Sequence, residues 1–291
     1  MGREYLYCGN WDFKGELRGI HTYTFDEDKQ MAVETGVHGS MCGQSMIAVM
    51  GSRLVSVCEL GKGGFIVSYL IDEDGVPHEK DVIEVESSKL SYVDADPLGE
   101  YAFVSSMGDA TVRMISVAED ASIKITYEQK LTGHGISQRA ATAKVHSVKA
   151  SVDGKLLFAA NLGADEIDVF VIDRKEQKLR LVSQAAVDWG MAPRHMAPDP
   201  KGEWLYLLTE TGNRLYAFKI HEDERDERNE LELRAAYNVL SMDGKSDGGA
   251  AADIVITPDG KDLYTTNRGQ CNIVHWKVLD SGLLDLEGYY D

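Results

Sequence analysis

HSVKASVDGKLLFAANL (146–162) and RHMAPDPKGEWLYLLTE (194–210) are built alike. Each opens on a β-rich run, turns at a glycine, and continues as a second β-rich run. The same build recurs in QSMIAVMGSRLVSVCEL (44–60), SYVDADPLGEYAFVSSM (91–107) and ADIVITPDGKDLYTTNR (252–268). Anchored on Ser52, Gly99, Gly154, Gly202 and Gly260, the repeat has a spacing of roughly 50 residues, the size of one propeller blade. A third apolar run follows each pair: FIVSYLID, TVRMISV, EIDVFVID, RLYAFKI and NIVHWKV. A looser fourth run comes next, such as LRLVSQAAV or LELRAAYNV. Four antiparallel strands per repeat, with almost no helical periodicity, predict an all-β fold: a β-propeller of four-stranded antiparallel blades, forming one domain over residues 1–291.

The N-terminus fits the scheme with one omission. YLYCGNW, GIHTYTFD and MAVETGV read as the second, third and fourth strands of a blade whose inner strand is absent. LLDLEGYYD, at the other end, reads as a fourth strand. The expectation is five full blades and a three-strand remnant. The raw blade edges would then be open to self-association.

Composition narrows the partners. The chain has 291 residues and a formal net charge of −18. Nucleic acid and anionic membranes are poor partners for such a field, and an anionic ligand would need a local basic site. No stretch approaches the roughly 20 apolar residues of a membrane-spanning helix. MGREYLYCGNW lacks the apolar core of a signal peptide, and Cys8, Cys42, Cys58 and Cys271 show neither metal spacing nor a disulfide framework. These features predict a cytoplasmic protein with reduced thiols.

Two strands joined by a short turn bring residues equidistant from the turn side by side. Eight residues before the anchors lie Gln44, Ser91, His146, Arg194 and Ala252; eight after lie Leu60, Met107, Leu162, Glu210 and Arg268. In a propeller this end of the inner strands lines one mouth of the central channel. His146, Arg194, Glu210 and Arg268 are therefore expected to converge there on one concave site. His195 and Asp253, with Asn161 and Asn267, lie one step nearer the turns and are the candidate substrate-binding residues. A polar channel lining that does no more than face water would account for the same residues. Trp204 and Trp276 fall on apolar strand positions and are expected in the core. HEDERDERNE (221–230) reads as a solvated linker, and GKSDGGAAA (244–252) as a linker or a lid over the site.

At these residues the sequence resembles the lactonase family of seven-bladed propellers, which includes 6-phosphogluconolactonases and 3-carboxy-cis,cis-muconate cyclases. The resemblance is carried by HSVKASVDGKLLFAANLGADEIDVFVID, APRHMAPDPKGEWLYLLTE and AADIVITPDGKDLYTTNRG, in that order, and weaker matches extend it over nearly the whole chain. It implies an active site of a histidine, two arginines and a glutamate, which here are His146, Arg194, Arg268 and Glu210. The chain departs from the family pattern in TAKV before HSV and in TET around Glu210. The family also continues past the NRG blade, so the resemblance implies that roughly one blade and the closing strand are lacking here.

The implied activity is hydrolysis of a sugar lactone, with 6-phosphogluconolactone as the best candidate, giving 6-phosphogluconate in carbohydrate metabolism by the pentose phosphate route. Arg194 and Arg268 would hold the anionic group or the developing oxyanion. His146 or Glu210 would activate water; a carboxylate flanked by two cations is the weaker base of the two. The implied partner is a small phosphorylated or carboxylated lactone, with no cofactor and no metal. The same residues could serve a carboxymuconate-type cycloisomerase. A non-catalytic binding platform is the alternative outside enzymes.

Overall fold

The computed structural model describes the chain except residues 1–3, 12–17, 27, 61–62, 88, 136–140, 222–228 and 242–249, and the side chains of residues 59 and 60. Most of HEDERDERNE and of GKSDGGAAA thus lies outside the described residues. The described strands group into two compact units, residues 1–128 and 129–291. Among the described residues there is no helix, and hence none long and apolar enough to cross a membrane.

The first unit holds three sheets. β1 (Tyr5–Cys8), β2 (Arg18–Asp26) and β3 (Met31–Cys42) form a three-stranded sheet. β4 (Gln44–Met50), β5 (Arg53–Leu60), β6 (Gly63–Ile71) and β7 (Pro77–Val85) form the second. β8 (Leu90–Ala95), β9 (Tyr101–Ser106), β10 (Thr111–Val117) and β11 (Ile123–Lys130) form the third, β11 running two residues past the unit's limit. The second unit holds three four-stranded sheets in the same sequential order. They are β12 (Val145–Ala150), β13 (Leu156–Asn161), β14 (Glu166–Asp173) and β15 (Lys178–Ala186); β16 (Pro193–Pro198), β17 (Trp204–Thr209), β18 (Arg214–His221) and β19 (Glu230–Asn238); and β20 (Ala251–Ile256), β21 (Asp262–Asn267), β22 (Asn272–Val278) and β23 (Leu284–Tyr290).

All five hairpins read from the sequence are present, and so is the three-stranded N-terminal sheet. Among the described residues there are thus six sheets, where the family that the sequence resembles has seven blades.

Burial explains why the strands look so different in sequence. The second strands, LLFAAN in β13 and WLYLLT in β17, are buried at every position. A strand covered on both faces reads as a continuous apolar run. The outer strands alternate, as in β19, where ELELRAAYN shows mostly exposed positions. Successive sheets within the second unit share cores. Phe158, Ile167 and Val169 pack with Met196, Leu205 and Leu207, and Trp204, Tyr206 and Leu208 pack with Leu263, Val274 and Trp276. Trp204 and Trp276 are core residues, as expected. Each such fully buried aliphatic side chain contributes about 1.5–3 kcal/mol.

The turns of four hairpins share one construction. Gly99, Gly154, Gly202 and Gly260 lie at φ 76°, 70°, 73° and 71°. Their N–H groups donate to the carbonyls of Asp96, Ser151, Asp199 and Thr257 at 2.8–3.0 Å. This is a turn closed by a left-handed residue, which glycine adopts without steric cost. The first residue of each turn also supplies a side-chain acceptor: Asp199 Oδ1 takes the N–H groups of Glu203 and Trp204 at 2.6 and 2.7 Å. In the β4–β5 hairpin the left-handed glycine is Gly51, φ 65°, rather than the position of Ser52, and the turn is shorter.

The register differs from mirror symmetry about the glycine. In β16–β17, His195 faces Leu208 and Pro193 faces Thr209, so Arg194 is passed over. In β12–β13, Ser147 faces Ala160 and Val145 faces Asn161, so His146 is passed over. In β20–β21, Ile254 faces Thr265 and Ala251 faces Asn267, which leaves out Ala252 and Asp253. Arg194 and Glu210, and Ala252 and Arg268, are therefore not rung partners as the mirror count predicts. Each of these three inner strands carries a bulge at the counted position, and a bulge re-aims the side chain it bears.

Candidate functional site

All four catalytic candidates lie in the unit 129–291, and the structure brings them together. His146 and Arg194 are the bulged residues of β12 and β16. Glu210 and Arg268 are the first residues beyond β17 and β21. Their backbones extend the hairpins by one more bond each. Glu210 N–H donates to Ala192 O at 2.8 Å, and Arg268 N–H donates to Ala250 O at 3.0 Å.

Glu210 is the centre of the cluster. Its Oε2 lies 3.5 Å from Arg194 Nε and 4.0 Å from His146 Nε2, while its Oε1 lies 3.2 Å from Arg268 Nη2. Three side chains from three sheets thus meet one carboxylate. The two arginines are placed differently. Arg194 is 16% exposed and also donates through Nη1 to the carbonyl of Ala252. Arg268 is 51% exposed and rests on the carbonyls of Ala250 and Ala251, through Nε and Nη2 at 3.3 Å each. Arg268 is the accessible cation, and Arg194 is the built-in one.

The histidines are kept neutral. Burial, followed by the charges of His195, Arg194 and Arg268, holds the His146 imidazole well below the ordinary histidine value. Burial is also the largest influence on His195, lowering it despite the opposing bond to Asp253. The two rings meet edge to face, with centroids 5.1 Å apart. His195 Nδ1 lies 2.7 Å from Asp253 Oδ1, and its Nε2 lies 3.2 Å from Arg194 Nη1. A neutral ring that donates from Nδ1 to Asp253 accepts from Arg194 at Nε2. Burial and the neighbouring charge of Arg268 pull the Arg194 guanidinium below its ordinary value, while Glu210 and Asp253 oppose that shift. The group remains a cation.

The substrate-binding candidates divide. His195 is buried behind Arg194 and fixes the guanidinium, and Asp253, 66% exposed, fixes His195. Asn161 and Asn267 are not brought into the cluster. Asn161 is fully buried; it accepts Lys144 N–H at 3.2 Å and donates to Thr132 O and Asp168 Oδ2 at 3.2 Å. Asn267 Oδ1 accepts the N–H groups of Gly269 and Gln270 at 2.9 and 3.0 Å. Both asparagines end a second strand: Asn267 holds the turn that follows it, whereas Asn161 ties its strand end to Thr132, Lys144 and Asp168. Counting from the hairpin turn assigned them a depth but not a direction. Among the described residues no group of three or more His, Cys, Asp or Glu side chains is placed to hold a metal ion.

Two residues that the sequence reading passed over, Asp165 and Asn213, bond across from the turns after β13 and β17, Asp165 to the segment leading into β16 and Asn213 to the first residue of β20. Their signal in the sequence is their shared offset: each stands four residues beyond the last residue of the second strand, just before the third strand.

The matches with known proteins agree with this architecture. The family described as "Lactonase, 7-bladed beta-propeller" matches residues 6–290. A 6-phosphogluconolactonase of Formosa agariphila is 28% identical over 297 residues, covering 98% of this chain and 82% of its own. A 6-phosphogluconolactonase of Erwinia tasmaniensis is 30% identical over 228 residues, covering 77% of this chain and 63% of its own. The structure of the periplasmic gluconolactonase of Pseudomonas aeruginosa superposes with a TM-score of 0.87 at 22% identity, over 99% of this chain and 83% of that one. By the family match, which spans almost its whole length, the chain belongs to the lactonase family of seven-bladed β-propellers.

Proposed function

We propose that the chain hydrolyses a sugar lactone carrying an anionic group, with 6-phosphogluconolactone as the substrate. The observation that carries the reading is the arrangement around Glu210: a mostly covered arginine and a half-exposed arginine on opposite carboxylate oxygens, with a neutral histidine 4.0 Å away. The curated relatives named 6-phosphogluconolactonase supply the substrate class.

The residues divide the work by exposure. Arg268, open on one side, takes the substrate's anion, and its fork suits phosphate or carboxylate. His146, held neutral by burial, accepts the proton of the attacking water. Its Nε2 and Glu210 Oε2 are spaced so that one water can hydrogen-bond to both. Glu210 orients that water and balances the two guanidinium charges. Arg194, braced by His195 and the Ala252 carbonyl, presents fixed positive charge where the lactone oxygen becomes an oxyanion. Attack breaks the ring C–O bond, the proton taken by His146 passes to the leaving alkoxide, and the product is the open hydroxy acid.

The test is the rate of acid release from freshly made 6-phosphogluconolactone, with spontaneous opening subtracted. Activity above that background, lost in His146→Ala, supports the proposal. Wild-type protein that never exceeds the background removes it.

A further inference from the structure

The turn after each second strand of the unit 129–291 ends on a non-glycine residue in the left-handed region: Asp165 at φ 55°, Asn213 at φ 49° and Cys271 at φ 53°. Asp and Asn tolerate that region better than other side chains. At the first two turns the side chain crosses to the start of the next sheet: Asp165 to the residues leading into β16, and Asn213 to the first residue of β20. Asp165 Oδ2 accepts Gly190 N–H and its Oδ1 accepts Ala192 N–H, both at 2.8 Å. The carbonyl of Ala192 in turn accepts Glu210 N–H at 2.8 Å. Asn213 keeps Nδ2 for Thr211 O in its own turn, at 3.3 Å. Its Oδ1 accepts Ala251 N–H at 3.0 Å and Asn267 Nδ2 at 3.1 Å. The carbonyls of Ala250 and Ala251 are the ones on which the Arg268 side chain rests.

We propose that Asn213 and Asp165 are positioning residues, each turn setting the place of the site residue on the sheet after it: Asn213 that of Arg268, and Asp165 that of Glu210. The inference rests on the hydrolase reading for its kinetic consequences but not for its geometry. The Arg268 guanidinium is half exposed, and a flexible arginine there would otherwise sample many rotamers. Two backbone carbonyls and Glu210 confine it, and Asn213 fixes those carbonyls from the outside. Asn213 and Asp165 are both buried, so the bonds are shielded from competition by water. Misplacing a substrate-holding group by about 1 Å is enough to cost roughly 100-fold in rate.

The experiment uses Asn213→Gly, which keeps the left-handed backbone and removes the acceptor, and Asn213→Asp, which keeps both. With 6-phosphogluconolactone, Asn213→Gly raises KM by about tenfold and leaves kcat within about twofold, since it loosens a group that holds the substrate equally before and during reaction. Asn213→Asp recovers most of that loss. In an Arg268→Ala background, Asn213→Gly adds less than about twofold, because the group it positions is gone. Asp165→Gly lowers kcat instead, through Glu210. Should Asn213→Gly not fold, Asn213→Ser, whose short hydroxyl cannot span to Ala251, replaces it in the same cycle. A full additional loss in the Arg268→Ala background, or a purely thermal effect with KM and kcat unchanged, overturns the proposal. Wild-type protein that opens no lactone removes the hydrolase reading alone. Crystal structures of the variants then decide this one: Arg268 still at its wild-type distance from Glu210 in Asn213→Gly overturns it, and Arg268 displaced while Arg194 stays supports it.

Discussion

Arg194 Nε lies 3.5 Å from Glu210 Oε2, although no backbone rung joins the two residues. The bulge that skips Arg194 turns its side chain toward the residue beyond the end of β17. Arg194 is mostly covered and bonded to His195 and to a backbone carbonyl, so it offers fixed positive charge and little freedom. Arg194→Ala is expected to lower kcat/KM by roughly 10–100-fold, each tenfold corresponding to about 1.4 kcal/mol of transition-state stabilisation. Arg194→Lys recovers little, because a single ammonium cannot meet Glu210, His195 and the Ala252 carbonyl at once. Steady-state rates of the two variants against the wild type check both expectations.

Arg268 gives the opposite pattern. It is half exposed, so its removal costs little in folding and much in substrate capture. Arg268→Ala should raise KM about tenfold or more with kcat changed less, and its melting temperature should stay near that of the wild type. The same variant should lose the salt dependence of KM, since the exposed guanidinium is the charge that an added salt screens.

The neutrality of His146 fixes a pH dependence. Its value lies well below the ordinary 6.5, first because the ring is buried and then because His195, Arg194 and Arg268 surround it. A base lowered in this way stays unprotonated as pH falls through 6.5, so the acid limb of kcat/KM should fall below that pH. Removing Arg268 takes away one opposing charge and moves the limb upward, though burial keeps it below 6.5. Stability follows the same sign. Between the folded value and 6.5 the unfolded chain binds the extra proton, so folding weakens as pH drops through that window. Rate–pH profiles and urea midpoints across the window test the two statements separately.

The sheets were legible because the buried second strands β13 and β17 read as apolar runs and each hairpin turn before a second strand carries its own chemistry. Gly154, Gly202 and Gly260 mark the turns, and Ser151, Asp199 and Thr257 cap them. Glu210 and the three residues around it were legible as a set, since hairpin depth alone places them at one level. The bulges were not legible, because His146 and Arg194 look like ordinary strand residues until the ladder skips them. Asn161 and Asn267 do not join the cluster around Glu210 for a related reason. Depth put them near it, while the direction of Asn267 was decided by the N–H groups of the turn it closes and that of Asn161 by Lys144 N–H, Thr132 O and Asp168. His195 was placed correctly beside Arg194, but it braces that arginine from behind.

Gly163 couples the packing of one turn to His146, the proposed base. A Cβ at this residue would lie 1.9 Å from the carbonyl oxygen of Thr142 and 2.8 Å from the nitrogen of Lys144. Both are backbone atoms, so no side chain can swing aside. Residues 142–144 lead directly into β12, and Lys144 N–H is itself held by Asn161 Oδ1 at 3.2 Å. Gly163→Ala must therefore push this segment away from the turn and loosen the bond to Asn161. His146 lies two residues further on, at the bulge, where the backbone is least constrained by the ladder. The expected result is a destabilisation of about 1–3 kcal/mol, typical of overpacking, together with a fall in kcat larger than any change in KM. Arg268 and Glu210 are held by other sheets and should remain in place, so binding of 6-phosphogluconate should persist. Calorimetric titration of that product alongside the kinetics separates the two effects. A Gly163→Ala protein with wild-type kcat would show that the approach of residues 142–144 does not set the position of His146.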